Sequence, residues 1–109
     1  MSEPDGTTLD KLYAVIASRR GADPAHSYSA KLLAGGAPAI AKKLGEETVE
    51  TIIESLKGDR ARLAAESADL LYHLLVLWVA ADVAPAEIWR VIEARSGTSG
   101  LAEKAARTK

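Results

Sequence analysis

The chain has 109 residues and a formal net charge of -1, and 48% of its residues are apolar, with 21 alanines and no phenylalanine among them. That length fits one domain, the Ala- and Leu-rich composition favours helices over strands, and a core so short of large side chains makes self-association an expectation. The absence of Cys excludes disulfides, thiolate zinc sites and cysteine nucleophiles, and the balanced charge gives no global attraction to nucleic acid or anionic membranes.

In chain order, residues 1–8 read as a polar, flexible N-terminus. Thr7 or Thr8 can cap a first helix in which Leu9, Leu12, Tyr13 and Ile16 form one apolar stripe. Gly21 and Pro24 end it. Ser27 caps a short helical segment that stops at Gly35-Gly36, and Pro38 sits in the first turn of the next helix, where proline is tolerated. Apolar spacing at Ile40, Leu44, Val49, Ile52, Ile53 and Leu56 carries that helix to Lys57. Gly58 closes it, and Asp59 caps a helix to about Ala81, the most apolar element and the one expected to complete its burial against a second copy. The longest uninterrupted apolar run, Leu74 to Ala81, is far below the roughly 20 residues that span a bilayer. Pro85 opens a last helix with Ile88, Trp89 and Ile92 on one face, ended by Gly97. Residues 98–109 suit a basic tail or a short frayed helix. The fold class is therefore all-α, a bundle of four to five helices per chain occupying residues 9–97, and the default location is the cytoplasm.

Seven of the 15 acidic residues lie between Glu46 and Asp69. At 100° per residue, Glu46, Glu47, Glu50 and Glu54 share an arc of about 100° on one helix, and Arg62, Glu66, Asp69 and His73 share about 60° on the next. The connection at Gly58 makes these helices an antiparallel hairpin, so residues equidistant from it face one another. Glu50 pairs with Glu66, Glu47 with Asp69, and Glu54 with Arg62. Such carboxylates can form a solvated helix face; converging in an otherwise apolar seam, they need a compensating charge. All-oxygen ligation selects a hard cation, and Mg²⁺ with carboxylates and substrate phosphates suits hydrolysis of a phosphoanhydride. No Glu-x-x-His spacing supports a carboxylate-bridged di-iron site. His73 either orients Asp69 or contacts a ligand, or is a satisfied histidine inside the bundle; His26 reads as an exposed loop residue.

Ser27 to Leu33 (SYSAKLL), Lys42 to Glu47 with Glu50, Glu66 to Val76 (ESADLLYHLLV), and Arg95 followed by Ser99-Gly100-Leu101 and Glu103-Lys104 together resemble the phosphoribosyl-ATP pyrophosphohydrolases. The paired ExxE and ExxD alone resemble the wider MazG-like all-α nucleotide pyrophosphohydrolases. The resemblance implies a MazG-like bundle completed by homodimerisation and hydrolysis of phosphoribosyl-ATP to phosphoribosyl-AMP and pyrophosphate, the second step of histidine biosynthesis, with Mg²⁺. It implies metal binding by Glu47, Glu50, Glu66 and Asp69, and it assigns Glu46 to positioning or deprotonating the attacking water. The substrate is strongly anionic, so cations must rim the site: Lys42, Lys43, Lys31, Arg95 and Lys104 are the expected contacts, with Arg20 and Arg107 as further candidates. The tail is expected to close over bound substrate, and a separate cyclohydrolase to take the next pathway step. The alternatives are a MazG-like enzyme that cleans nucleoside triphosphate pools and a non-catalytic helical dimerisation module.

Overall fold

The computed structural model describes residues 3–97 together with Gly100, Lys104 and Arg107. Among the described residues the chain is all-helical: α1 (Thr7–Ser18), α2 (Tyr28–Lys57), α3 (Arg60–Ala80) and α4 (Pro85–Arg95). α3 packs most extensively on α2, then on α1, and α4 rests against α1. The Trp89 indole donates to Asp10 Oδ1 at 3.0 Å, and its ring meets Trp78 edge-on with centroids 6.1 Å apart, so α4 is fastened to both α1 and α3.

The caps explain most of these boundaries. Ser27 has an extended backbone and its hydroxyl accepts from the Ala30 amide at 3.1 Å; Asp59 accepts from the Arg62 amide at the same distance. Gly58, at φ 79°, supplies the left-handed turn that reverses the chain into the hairpin. The first helix differs from expectation. Neither Thr7 nor Thr8 is its cap: the Asp5 carboxylate does that work, accepting from the Thr7 amide at 2.9 Å and the Thr7 hydroxyl at 2.6 Å, and α1 begins at Thr7.

α2 is one helix only in name. Gly36, at φ 82° and ψ 171°, breaks it, and Pro38 starts the second segment two residues later, where its missing N–H costs nothing. The region Gly36 occupies is essentially closed to residues with a Cβ. The break lets Tyr28–Gly35 turn away from the axis of the longer segment and pack separately. Counted this way, α1 to α4 make five helical segments among the described residues.

The core is thin, as the composition implies. Ile16, Ile40, Leu75, Val76 and Val79 are its fully buried large side chains, ringed by half-buried residues such as Leu12, Leu33 and Trp78. α3 has a window of mean hydropathy 1.4, enough by composition and length to cross a bilayer, yet its apolar residues supply three of those five core positions. The exposed apolar stripe lies elsewhere than expected. Val49, Ile52, Ile53 and Leu56 on α2 stand in solvent, Leu56 at 83%, whereas Leu71 is the one large exposed apolar residue of α3 among the described residues. α3 is already covered on two sides by α1 and α2, which is why the uncovered surface falls on α2. The tail residues Ser99, Leu101 and Glu103, on which a hinge and closure were expected, lie outside the described residues; Gly100, Lys104 and Arg107 are helical and exposed.

Candidate active site

The hairpin register follows from the turn. Glu54 and Arg62, each four residues from Gly58, meet with Arg62 Nε 3.4 Å from Glu54 Oε1. One level further along, the Thr51 hydroxyl donates to its own helix at the Glu47 carbonyl (2.8 Å) and across to the Glu66 carbonyl (3.2 Å). Thr51 was not singled out from the sequence, although its position one turn after Glu47 put it at the α2–α3 seam. Beyond it, Glu47, Glu66 and Asp69 each bring a carboxylate oxygen within 4.8 Å of the others.

These three acids differ in exposure. Glu47 is buried at 7%, Glu66 half-buried and Asp69 exposed. Glu50 is exposed and lies close enough to Glu47 and Glu66 to act on both. Burial, followed by the neighbouring Glu50 charge and then Asp69, raises the Glu47 carboxyl above its ordinary value. Burial and the charges of Glu50, Asp69 and Glu47 raise Glu66 likewise. Glu47 Oε2 and Glu66 Oε2 are buried without a hydrogen-bond partner. Unpaired buried carboxylate oxygens that converge are costly unless a cation or a proton joins them. A small hard cation with oxygen preference fits this donor set, which contains no sulfur and no free imidazole nitrogen.

Cations are unevenly distributed around the acids. Lys43 Nζ lies 3.6 Å from Glu46 Oε1 and 3.9 Å from Glu47 Oε1. Glu46 is thus at the edge of the cluster, paired with Lys43 and outside the three oxygens that converge. Lys31 and Lys42 are exposed; Arg95 is the exposed last residue of α4, and Lys104 is helical and exposed. Arg20, a candidate for substrate contact, is used otherwise: its guanidinium donates to the Val79 carbonyl and pairs with Asp82 at 3.3 Å. That is the C-terminal end of α3, where a cation satisfies the last carbonyls, about 15 Å along the helix from Asp69.

His73 is the satisfied bundle histidine. It is 4% exposed, and its Nδ1 lies 2.7 Å from the main-chain carbonyl of Asp69. A carbonyl only accepts, so Nδ1 carries the proton and Nε2 accepts from the Tyr28 hydroxyl at 3.2 Å. Tyr28 also stacks on Tyr72, with centroids 6.0 Å apart at 18°, and the Ser29 hydroxyl bonds the Tyr72 hydroxyl at 2.5 Å. Tyr28 was not picked out as a site residue; its place directly after a cap gave no sign of it. His26 is exposed in the loop before α2 and pairs with Asp23 at 2.8 Å.

With this geometry in hand, similarity to known proteins is informative. Residues 9–96 match the family model described as phosphoribosyl-ATP pyrophosphohydrolase. The chain is 58% identical over 99 residues to the phosphoribosyl-ATP pyrophosphatase of Azospirillum brasilense, covering 91% of this chain and 89% of that protein. It is 59% identical over 101 residues to the protein of the same name from Cereibacter sphaeroides, covering 93% and 98% respectively. A third so named, from Parvibaculum lavamentivorans, is 56% identical over 103 residues, 94% of each chain.

Proposed function

The chain belongs to the phosphoribosyl-ATP pyrophosphohydrolase family, a family of hydrolases in the histidine pathway, and from that premise we propose that it hydrolyses phosphoribosyl-ATP to phosphoribosyl-AMP and pyrophosphate with Mg²⁺ as cofactor. The observation that carries the reading is the convergence of Glu47, Glu66 and Asp69 with two buried carboxylate oxygens left unpaired. Those three, with Glu50 at their edge, would hold the ion. Bound there, Mg²⁺ supplies neutralisation of phosphate charge and polarisation of a water molecule.

The protein's own groups account for the rest. Water attacks in line, its oxygen bonds to phosphorus, and the bridging oxygen between the α and β phosphorus atoms leaves with pyrophosphate. Glu46 is the proposed acceptor of the water proton, being an exposed carboxylate beside the cluster that makes no demand on its interior. Lys43 meets the phosphates, because substrate oxygens compete for an ammonium that sits no closer than 3.6 Å to either of its carboxylates. Lys31, Lys42, Arg95 and Lys104 are proposed to bind the outer parts of the substrate.

A homodimer belongs to the same proposal. Val49, Ile52, Ile53 and Leu56 recur at helical spacing and stay in solvent, and a second copy is the partner that a thin core calls for. On α2 that stripe adjoins the arc of Glu46 and Glu50, so a partner seated on it would lie alongside the carboxylates. A cytoplasmic location completes the reading. Incubation with Mg²⁺ and either phosphoribosyl-ATP or a panel of nucleoside triphosphates tests it by product analysis. The expected products are phosphoribosyl-AMP and pyrophosphate; preference for the panel would overturn the assignment in favour of nucleotide-pool cleaning.

A further inference from the structure

Glu47 extends from α2 while Glu66 and Asp69 extend from α3, so the spacing of their carboxylate oxygens depends on how far apart the two helices stand. One hydroxyl spans that gap. Half-buried Thr51 places Oγ1 2.8 Å from the Glu47 carbonyl, one turn back on its own helix, and 3.2 Å from the Glu66 carbonyl across the seam. These carbonyls belong to two of the three convergent acids. A hydroxyl carries a single proton, so the bond is three-centre, and the shared proton lets two carbonyl oxygens of like partial charge approach the same point in the seam. Thr48 supplies the contrast. Its hydroxyl makes the same one-turn bond, to the Leu44 carbonyl at 2.8 Å, and that bond stays within α2. The short side chain of Thr51 also suits a place where a longer one would prop the helices apart.

We infer that Thr51 is a positioning residue that sets the width of the carboxylate cleft and thereby its preference for a small divalent cation. It acts through the main chains of Glu47 and Glu66 and touches neither ion nor substrate. The inference rests on the proposal that these acids hold Mg²⁺. Mg²⁺ accepts oxygens only near about 2.0–2.1 Å, whereas Ca²⁺ takes them at about 2.3–2.6 Å in flexible geometry. A cleft that opens by a few tenths of an ångström therefore loses Mg²⁺ and keeps Ca²⁺. Without the Thr51 proton the two carbonyls repel one another, and the helices part in that direction.

Calorimetric titration of the metal-free protein with MgCl₂ and, separately, CaCl₂ tests it, using wild type, Thr51→Val, Thr51→Ser and Thr48→Val. Thr51→Val keeps the shape and removes the hydroxyl: Mg²⁺ affinity should fall roughly 10-fold, as for loss of a group that supports metal ligands, and Ca²⁺ affinity should change less than about 3-fold. Thr51→Ser keeps the proton and should keep the wild-type ratio of the two affinities. Thr48→Val removes a hydroxyl of the same kind from the same helix and should leave that ratio unchanged, which separates cleft width from a general loss of helix stability. Thr51→Ala, free of the methyl group that valine presses against the carbonyls, should lower the ratio as Thr51→Val does, and it carries the test if Thr51→Val fails to fold. A wild-type ratio in Thr51→Val or Thr51→Ala, or the same drop in Thr51→Ser or Thr48→Val, would overturn the inference. No binding of either ion by wild type would overturn the metal reading together with it. Ion binding in the expected pattern without hydrolysis of phosphoribosyl-ATP would instead overturn the functional reading and leave this one standing.

Discussion

Arg62 Nε stands 3.4 Å from Glu54 Oε1, tying α3 to α2 at equal distances on either side of Gly58. Glu54 is buried at 6% and Arg62 mostly exposed, with Lys57 as a second partner of the same carboxylate at 3.8 Å. The exposed arginine thus neutralises a buried acid. Arg62→Met should destabilise the protein by roughly 1–2 kcal/mol in urea unfolding, less than for a fully buried pair because Lys57 remains. Glu54→Gln should cost less than Arg62→Met, since it leaves no uncompensated buried charge. The reverse order would show that the pair is not what joins the helices here.

The acids of the cluster make a different prediction. Glu47 and Glu66 bind protons more tightly folded than unfolded, chiefly through burial and the charge of Glu50. From the ordinary value of 4.5 up to their raised folded values, the native state therefore holds more protons, and stability falls as pH rises through that window. The depressed acids Asp5 and Asp23 act only at lower pH, where they lose stability as pH falls through 3.8 and below. Metal-free protein should melt at a higher temperature at pH 5 than at pH 7, and Glu47→Gln should flatten that slope. A metal-free melting temperature independent of pH across this range would contradict the account.

How much of this was legible in the sequence divides along a physical line. The Glu54–Arg62 pair and the approach of Glu47 to Asp69 could be counted from Gly58, because a tight hairpin fixes which residues face one another. Ser27 and Asp59 were readable as caps because their side chains act locally. The bonds from Tyr28 to His73 and from Arg20 to the Val79 carbonyl were not, being 45 and 59 residues apart, the first set by how the segment before the Gly36 break packs and the second by how α1 lies on α3. Asp5 displaced Thr7 as the cap of α1 because its carboxylate, two residues upstream, takes the Thr7 amide itself and so starts the helix at Thr7. The apolar spacing of Val49, Ile52, Ile53 and Leu56 was plain, but periodicity gives a face its identity without saying what covers it.

That stripe yields its own test. Ile52→Glu should convert a homodimer to monomer in light scattering after size exclusion, with helicity retained in the far-ultraviolet spectrum. A wild-type protein that is monomeric at micromolar concentration, or a dimer indifferent to Ile52→Glu, would remove α2 as the interface.

Gly36 is held at φ 82° and ψ 171°, while the nearest atom that an added Cβ would meet, Pro38 Cδ, is 3.9 Å away. Space is not the obstacle; backbone strain is. Gly36→Ala should therefore cost about 1–3 kcal/mol in urea unfolding. Gly45→Ala, inside the regular second segment with open space around it, should instead be neutral or stabilising by roughly 0.5–1 kcal/mol. Equal effects at the two glycines would contradict the role given to the break.

The central claim is that the convergent carboxylates of α2 and α3 perform a Mg²⁺-dependent hydrolysis. Its most direct test is pyrophosphate release from phosphoribosyl-ATP in Mg²⁺ by wild type and by Asp69→Asn, with the melting temperature of each recorded alongside. Turnover should require Mg²⁺ in the wild type and fall at least roughly 100-fold in Asp69→Asn, as for loss of an electrostatic contact in a reaction centre, while the melting temperature holds or rises. Turnover in Asp69→Asn equal to that of the wild type, or undiminished when Mg²⁺ is chelated, would contradict it.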